Sequence, residues 1–324
     1  MIHAKNLSKR YQAVEAVKNV NVDIQKGEIV GLLGQNGAGK TTMMKMITGY
    51  LEPTEGTVLL GGKDVLEDRI GVQRQIGYMP ENAPLYPEML VQEYLLMVAS
   101  LRELPKEKQI PMIIEAVKAT GLEKFMTRPI GTLSKGYRQR VGICQAILHQ
   151  PEVLILDEPT NGLDPVQIIE IRGLIKKLAE KSTVIVSTHI LQEIEAVCDR
   201  VLILIDGQLV KDAPLKEFLT SNRIEISLAD SIGASDLELA TKEVAGLGKI
   251  EKLKKDPQRS GYSIWGINWK GDVAPIPQIL NLAASQNWSV GSITANPPTL
   301  EQAFNALINE QAKQKAEAKK EDAA

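Results

Sequence analysis

Cysteine is almost absent: Cys144 and Cys198 are the only two in 324 residues. Each lies in an apolar or helical stretch, and together they make neither a disulfide framework nor a metal-ligand spacing. A reducing, cytosolic setting is the simplest expectation. Long hydrophobic runs are missing too. Segments such as 201–205 fall far short of the ~20 apolar residues that cross a bilayer. The opening Met1-Ile2-His3-Ala4-Lys5 lacks the apolar core of a secretory signal. Nor is there an excess of charge: 38 Lys and Arg against 40 Asp and Glu leave a formal charge of -2. With no basic stripe, no nucleic-acid partner is expected. What remains is an ordinary globular composition, 44 % hydrophobic, in a chain long enough for about two domains.

One segment is far from ordinary. Gly34-Gln35-Asn36-Gly37-Ala38-Gly39-Lys40-Thr41 sets two glycines around four residues and follows them with Lys and Thr. The glycines let successive N–H groups converge on one centre, and no side chain there holds a phosphate away. Lys40 then faces the outer phosphates and Thr41 reaches a Mg²⁺ ion. A plain glycine turn is the bland alternative. The context favours a nucleotide triphosphate, because 29–33 reads as a buried strand and Thr41, Thr42 and the residues to 47 read as a helix, positive end toward the anion.

Before this loop the chain reads as strands over 2–5 and 14–24, with Tyr11 between them. An aromatic there suits packing, or a base stack if the phosphate loop holds. After it come a hairpin around Gly61-Gly62, a strand at 76–79 that ends before Pro80 and Glu81, and a proline-rich loop. Helical patterns at 91–101 and 113–121 suggest a helical subdomain. Leu133-Ser134-Lys135-Gly136-Tyr137 follows, with Ser134 able to cap a helix to about 149. A buried strand at 153–156 ends in Asp157-Glu158, at the sheet edge where ligands bind. Adjacent carboxylates can be a solvated turn; beside a phosphate loop they suit a metal ligand and a base. Asn161-Gly162-Leu163-Asp164 turns into a helix over 166–178, and a strand at 183–187 ends in Thr188-His189. A final hairpin occupies 201–210.

In combination these motifs resemble the ATP-binding subunit of an ABC transporter, over residues 1 to about 215. The resemblance implies an α/β fold, a P-loop NTPase of ABC type with an N-terminal antiparallel β subdomain and a helical subdomain at about 82–149. It implies ATP and Mg²⁺ as ligands. Tyr11 would stack on adenine, Lys40 would hold the β- and γ-phosphates, and Thr41 and Asp157 would hold Mg²⁺. Glu158 would orient and deprotonate the attacking water, and His189 would contact the γ-phosphate. Ser134 and Gly136 of the signature loop Leu133–Tyr137 would serve the nucleotide of an opposite subunit, and Asp164 would couple the two sites. One phosphate loop and one signature loop per chain imply a head-to-tail homodimer on the cytoplasmic face of a separate membrane permease. Two positions depart in the variable part of the signature loop, Lys135 and Tyr137. Another, Glu81, stands where the family usually has Gln, and is read as a Mg²⁺-side contact linking nucleotide state to the loop that follows. Export-type subunits of the family, those of multidrug export and gliding motility, resemble the chain in this and in carrying a C-terminal extension.

All three tryptophans, Trp265, Trp269 and Trp288, fall after residue 220 and mark a second domain over 221–310. Its order reads strand 223–229, helix 235–246, strands 249–254 and 262–269, helix 277–286, strand 288–294: a small α+β, ferredoxin-like sandwich. A short helix is expected over 300–309. The tail 311–324, without an apolar face, is expected to be disordered. A nucleic-acid factor on the same ATPase head is disfavoured by the lack of a heptad insertion, a second cassette or a basic stripe. A nucleotide sensor without turnover is opposed by Glu158 and His189, and Glu81 leaves it open.

Overall fold

The computed structural model describes residues 1–219, 223–234, 237, 244, 246–269, 274–295 and 300–321, without the side chains of 219 and 313–321. The chain divides into two units, Met1–Leu215 with Leu307–Ala324, and Lys216–Ala306.

Two sheets build the first unit. The antiparallel one joins β1 (Ile2–Tyr11), β2 (Val14–Ile24), β4 (Glu55–Leu60) and β5 (Lys63–Asp64) in the order β2-β1-β4-β5. The other runs β10-β9-β3-β8-β7-β6, from β3 (Ile29–Leu33), β6 (Ile76–Met79), β7 (Val153–Asp157), β8 (Thr183–Thr188), β9 (Arg200–Ile205) and β10 (Gln208–Pro214). Its strands are parallel except β10, which returns antiparallel to β9. Every residue of β7 and β8 is buried, as expected of parallel strands covered on both faces. Between the sheets lies α1 (Lys40–Ile47), whose Met43, Met44, Met46 and Ile47 join the same core as Leu7, Val20, Leu32 and Leu60. Burying each such side chain contributes about 1.5–3 kcal/mol, so the helix behind the phosphate loop is firmly held.

The helical subdomain contains α3 (Val91–Leu101), α4 (Lys106–Thr120) and α5 (Lys135–Ile147). Three helices not anticipated from the sequence are α2 (Arg69–Gln75) and α7 (Leu191–Val197), each of seven residues, and α8 (Leu215–Leu219). Between β7 and β8, α6 (Pro165–Ala179), capped by Asp164, extends the helix expected over 166–178 by one residue at each end. Strand β1 runs on to Tyr11 rather than stopping at 5, because its later residues pair with β2 through register shifts.

In the second unit four antiparallel strands take the order β12-β13-β11-β14: β11 (Arg223–Ala229), β12 (Leu247–Lys255), β13 (Tyr262–Trp269) and β14 (Val290–Thr294). The last-first-third-second order is that of a split βαβ sandwich. Trp265 and Trp269 lie in its core with Ile226 and Ile267. The helix expected over 235–246 lies largely outside the described residues. The last helix runs Leu300–Glu321, longer than the 300–309 expected and into the tail expected to be disordered, whose residues 322–324 lie outside the described ones. Its Ala, Lys, Glu and Gln are strong helix formers, so an apolar face is not needed to propagate the backbone.

Both cysteines are buried, and burial pushes each thiol up to about 12, so neither is a reactive thiolate. His149 matters more for stability. Its Nε2 lies 3.1 Å from the Ile76 carbonyl, its Nδ1 has no partner among the described residues, and burial, then the nearby Arg102, pushes its pKa down to about 4. The unfolded chain therefore takes up a proton near pH 6.5 that the folded chain refuses until about pH 4. Stability is complete above pH 6.5 and falls across that window, by up to about 3 kcal/mol at 1.36 kcal/mol per pH unit. Denaturant titrations at pH 7 and 4.5 should show a smaller drop in His149→Gln than in the parent; equal drops would assign the acid sensitivity elsewhere.

Candidate functional site

The register of the parallel sheet assembles the site. Leu33 of β3 pairs with Thr188 of β8, and Ser187 of β8 pairs with Asp157 of β7. Gly34, Glu158 and His189 therefore leave the carboxyl edges of three neighbouring strands, the edge at which open α/β sheets bind ligands. Between them is a crevice of about 340 Å³ lined by Ala16, Gln35 to Thr42, Glu81, Glu158, Asn161 and His189.

The phosphate loop needs its glycines. Gly37 and Gly39 have φ of 82° and 103°, in the left-handed region, and a Cβ on Gly39 would lie 2.4 Å from the Ala16 carbonyl oxygen. Lys40, 7 % exposed, donates to the carbonyls of Gly34 (2.7 Å) and Gln35 (3.3 Å). Its Nζ is also 3.6 Å from Glu158 Oε1. Thr41 Oγ1 donates to Asp157 Oδ2 at 3.0 Å, which brings a hydroxyl and a carboxylate oxygen together at the start of α1. Such hard oxygens suit Mg²⁺, which takes one or two protein groups and fills its shell with phosphate and water. Among the described residues no group of three or more His, Cys, Asp and Glu forms a metal cage.

Glu158 is held in an unusual way. Its φ is 48°, a left-handed conformation for a residue with a side chain. Its N–H donates to the carbonyl and hydroxyl oxygens of Ser187, both at 3.1 Å. That posture turns the carboxylate to His189, with Oε2 2.9 Å from Nδ1. Ser187 was not anticipated from sequence. Its hydroxyl also donates to Asp157 Oδ1 at 2.5 Å, so one buried serine holds the Asp157 carboxylate and the Glu158 backbone together. Its place at the carboxyl end of a buried strand was the available signal.

Of the remaining expected residues, Tyr11, Ser134, Gly136 and Asp164 do not line the crevice. Tyr11 closes β1, 46 % exposed, with Lys9 Nζ 5.6 Å from its ring centroid; it is absent from the crevice lining, which Ala16 supplies instead. Ser134 caps α5, its hydroxyl accepting the Tyr137 N–H at 3.4 Å, and neither it nor Gly136 lines the crevice of its own chain. The Tyr137 ring packs on Phe125 with centroids 4.0 Å apart, a packing reason for an aromatic at that variable position. Asp164 accepts the N–H groups of Val166 and Gln167, both at 3.0 Å, and so caps α6. Glu81 does line the crevice, and its Oε1 accepts a hydrogen bond from Asn161 at 3.0 Å.

A larger hollow of about 550 Å³ lies between Tyr50, Ile70, Tyr78, Leu101 and Arg102. Tyr50, Ile70 and Leu101 are 65–75 % exposed there. It carries no phosphate loop or paired carboxylates, so the smaller crevice is where the chemistry converges. No helix among the described residues is long and apolar enough to cross a membrane.

Comparison with known proteins agrees with this geometry. The ABC transporter family model matches residues 17–161. The bacitracin transport ATP-binding protein BcrA of Bacillus licheniformis is 38 % identical over 234 residues, 71 % of this chain and 76 % of its own. An uncharacterized ABC transporter ATP-binding protein of Synechocystis, sll0415, is 33 % identical over 303 residues, 92 % of this chain and 80 % of its own, so that likeness takes in the second unit. Among solved structures, a dimeric post-hydrolysis state of the ATP-binding cassette MJ0796 bound to ADP and Pi has a TM-score of 0.61 and 29 % identity, covering 66 % of this chain and 99 % of that one. The sequence motifs, the strand edge that gathers them and these likenesses agree: this chain belongs to the ATP-binding subunits of ABC transporters and is an ATPase.

Proposed function

We propose that two copies of this chain close head to tail around two ATP molecules and that closure drives export through a separate permease, at the cytoplasmic face of the membrane. The observation that carries the reading is the split of the motifs. The phosphate loop, Glu158 and His189 line one crevice, with Asp157 bonded to Thr41 behind it, while Ser134 and Gly136 stand outside it, so a second copy is needed to supply them. The dimeric cassette among the structural relatives fits this arrangement. Transport follows the relatives named for bacitracin transport; the exported substrate would be chosen by the permease. The exposed hollow, where Tyr50, Ile70 and Leu101 stand among Arg74, Arg102 and Glu103, suits the permease in a chain with no spanning helix among its described residues.

In this reading Lys40 exchanges its carbonyl contacts for the β- and γ-phosphates. Thr41 and Asp157 hold Mg²⁺, which supplies charge neutralisation at the phosphates, and Glu81 joins that side of the site through Asn161. With Lys40 on phosphate, Glu158 is free to take a proton from water, and His189 orients it and meets the γ-phosphate. Tyr11 offers its ring to adenine from beyond the crevice.

ATP hydrolysis by the purified chain, measured against protein concentration, tests the dimer. The rate per chain should climb with concentration until dimers predominate. A constant rate per chain from dilute to concentrated solution would refute shared sites. Silence throughout, relieved by the permease, would place assembly of the sites in the full transporter.

A further inference from the structure

The helix after His189 carries a buried carboxylate that the hydrolytic chemistry leaves unused. Glu193 lies in α7, just beyond the end of β8, and is 4 % exposed. Its Oε2 accepts the Thr188 hydroxyl at 2.8 Å, and Thr188 Oγ1 in turn accepts the Ile190 N–H at 3.0 Å. The loop closes a second time where the Glu193 N–H donates to the Ile190 carbonyl at 3.1 Å. His189 is therefore flanked on both sides by residues tied to Glu193. Its own ring stands 41 % exposed at the crevice, with Glu158 as its one polar partner among the described residues. The ring's direction thus depends on the backbone at 188–190.

Packing alone does not account for this carboxylate. Its Oε1 has no partner among the described residues. Burying an oxygen without one is costly, and a leucine would fill the same place without that cost. Such local conflicts concentrate at functional positions. The seat of α7 adds an independent observation. A Cβ on Gly31 would lie 2.4 Å from Ile194 Cδ1 and 3.0 Å from Cys198 Sγ, so glycine in β3 lets the helix approach this closely. Strand β3 leads directly into the phosphate loop. The helix is packed on the strand that carries that loop, while its Glu193 holds the strand end that carries His189.

We propose that Glu193 is a positioning residue for ATP hydrolysis: by holding Thr188 it sets the backbone at 188–190, and so fixes the angle at which the His189 ring meets Glu158 and the γ-phosphate. The proposal rests on the role given to His189 above and adds the group that keeps that histidine in place. Glu193 lines no part of the crevice and acts through Thr188. A misplacement of about 1 Å in an aligned group can cost ~10²-fold in rate, so a bond at this remove has a measurable effect on turnover.

The test is steady-state ATP hydrolysis by the full-length chain under conditions in which the parent turns over. Glu193→Ala should lower kcat about tenfold and leave KM for ATP within about twofold, because nucleotide binding does not pass through Thr188. Glu193→Gln retains an acceptor for the Thr188 hydroxyl and should keep kcat within about twofold of the parent. Thr188→Val removes the same bond from the other end without opening a cavity, and should repeat the loss even where the Ala variant folds poorly. The deciding measurement places Glu193→Ala in a His189→Ala background. General loosening of the fold persists there, but the direction of the ring no longer matters, so the residual rate should fall by less than about twofold. A second tenfold loss in that background would overturn the proposal. So would a Gln variant as slow as Ala, or full turnover in both Glu193→Ala and Thr188→Val. Unchanged turnover in His189→Ala itself would overturn the reading of the histidine and the proposal with it, and is told apart because it shows without any change at Glu193.

Discussion

Replacing Glu158 by Gln is expected to slow ATP hydrolysis at least ~10²-fold, the lower end for loss of a general base, and to leave ATP bound. The substitution is nearly isosteric. The backbone posture is set by the N–H bonds to Ser187, which any side chain permits, and a carboxamide oxygen can still accept from His189. What disappears is proton affinity. The lost charge also frees Lys40, whose ammonium is 3.6 Å from Oε1, so ATP affinity should hold or rise. Phosphate release and nucleotide binding, measured on one preparation, separate the two effects. Undiminished turnover would take the base role from Glu158, and loss of binding would mean that the carboxylate helps to shape the phosphate loop.

The second large effect is expected at Lys40→Met, which should weaken ATP binding at least ~10²-fold. Two unit charges about 4 Å apart attract by about 4 kcal/mol at an effective dielectric of ~20. That corresponds to nearly three decades in affinity at 1.4 kcal/mol per decade, reduced by the backbone N–H groups that remain. Methionine matches the lysine stem, so the packing of α1 against its core should survive. Glu158 loses a cation but keeps His189. Nucleotide titration gives the affinity, and far-ultraviolet dichroism checks the fold. Binding equal to that of the parent would mean that the loop backbone alone holds the phosphates. The two variants are complementary: one binds without turning over, the other fails at binding.

Some features failed to show in the sequence for identifiable reasons. Helix α2 buries only Val72 and contains Gly71, so no apolar period betrays it. Helix α4 begins seven residues before its apolar pattern does, because Pro111 lies within it and reads as a break. In the last helix, the want of an apolar face reads as disorder, although helix propensity alone continues the backbone to Glu321. By contrast, β3, α3, β11 and β13 were legible to the residue, since each is a run of one period bounded by turn residues.

The local chain by itself determined the phosphate loop, the strand before it and the helix after it. Glycine spacing, φ preference and hydrophobic period all act within a dozen residues. It also determined which residue types were available for chemistry: Lys40, Asp157, Glu158 and His189. Only the tertiary structure decided how they meet. Strand β8 lies between β3 and β7, and that order, imposed by packing across the whole sheet, brings His189 to Glu158, Glu158 to Lys40, and Ser187 to the Asp157 carboxylate and the Glu158 N–H. The same holds for Glu81 on Asn161 and for Lys135 over Gly162. Such contacts join distant stretches of chain, and no local pattern encodes them because their energy exists only once the strands are in register.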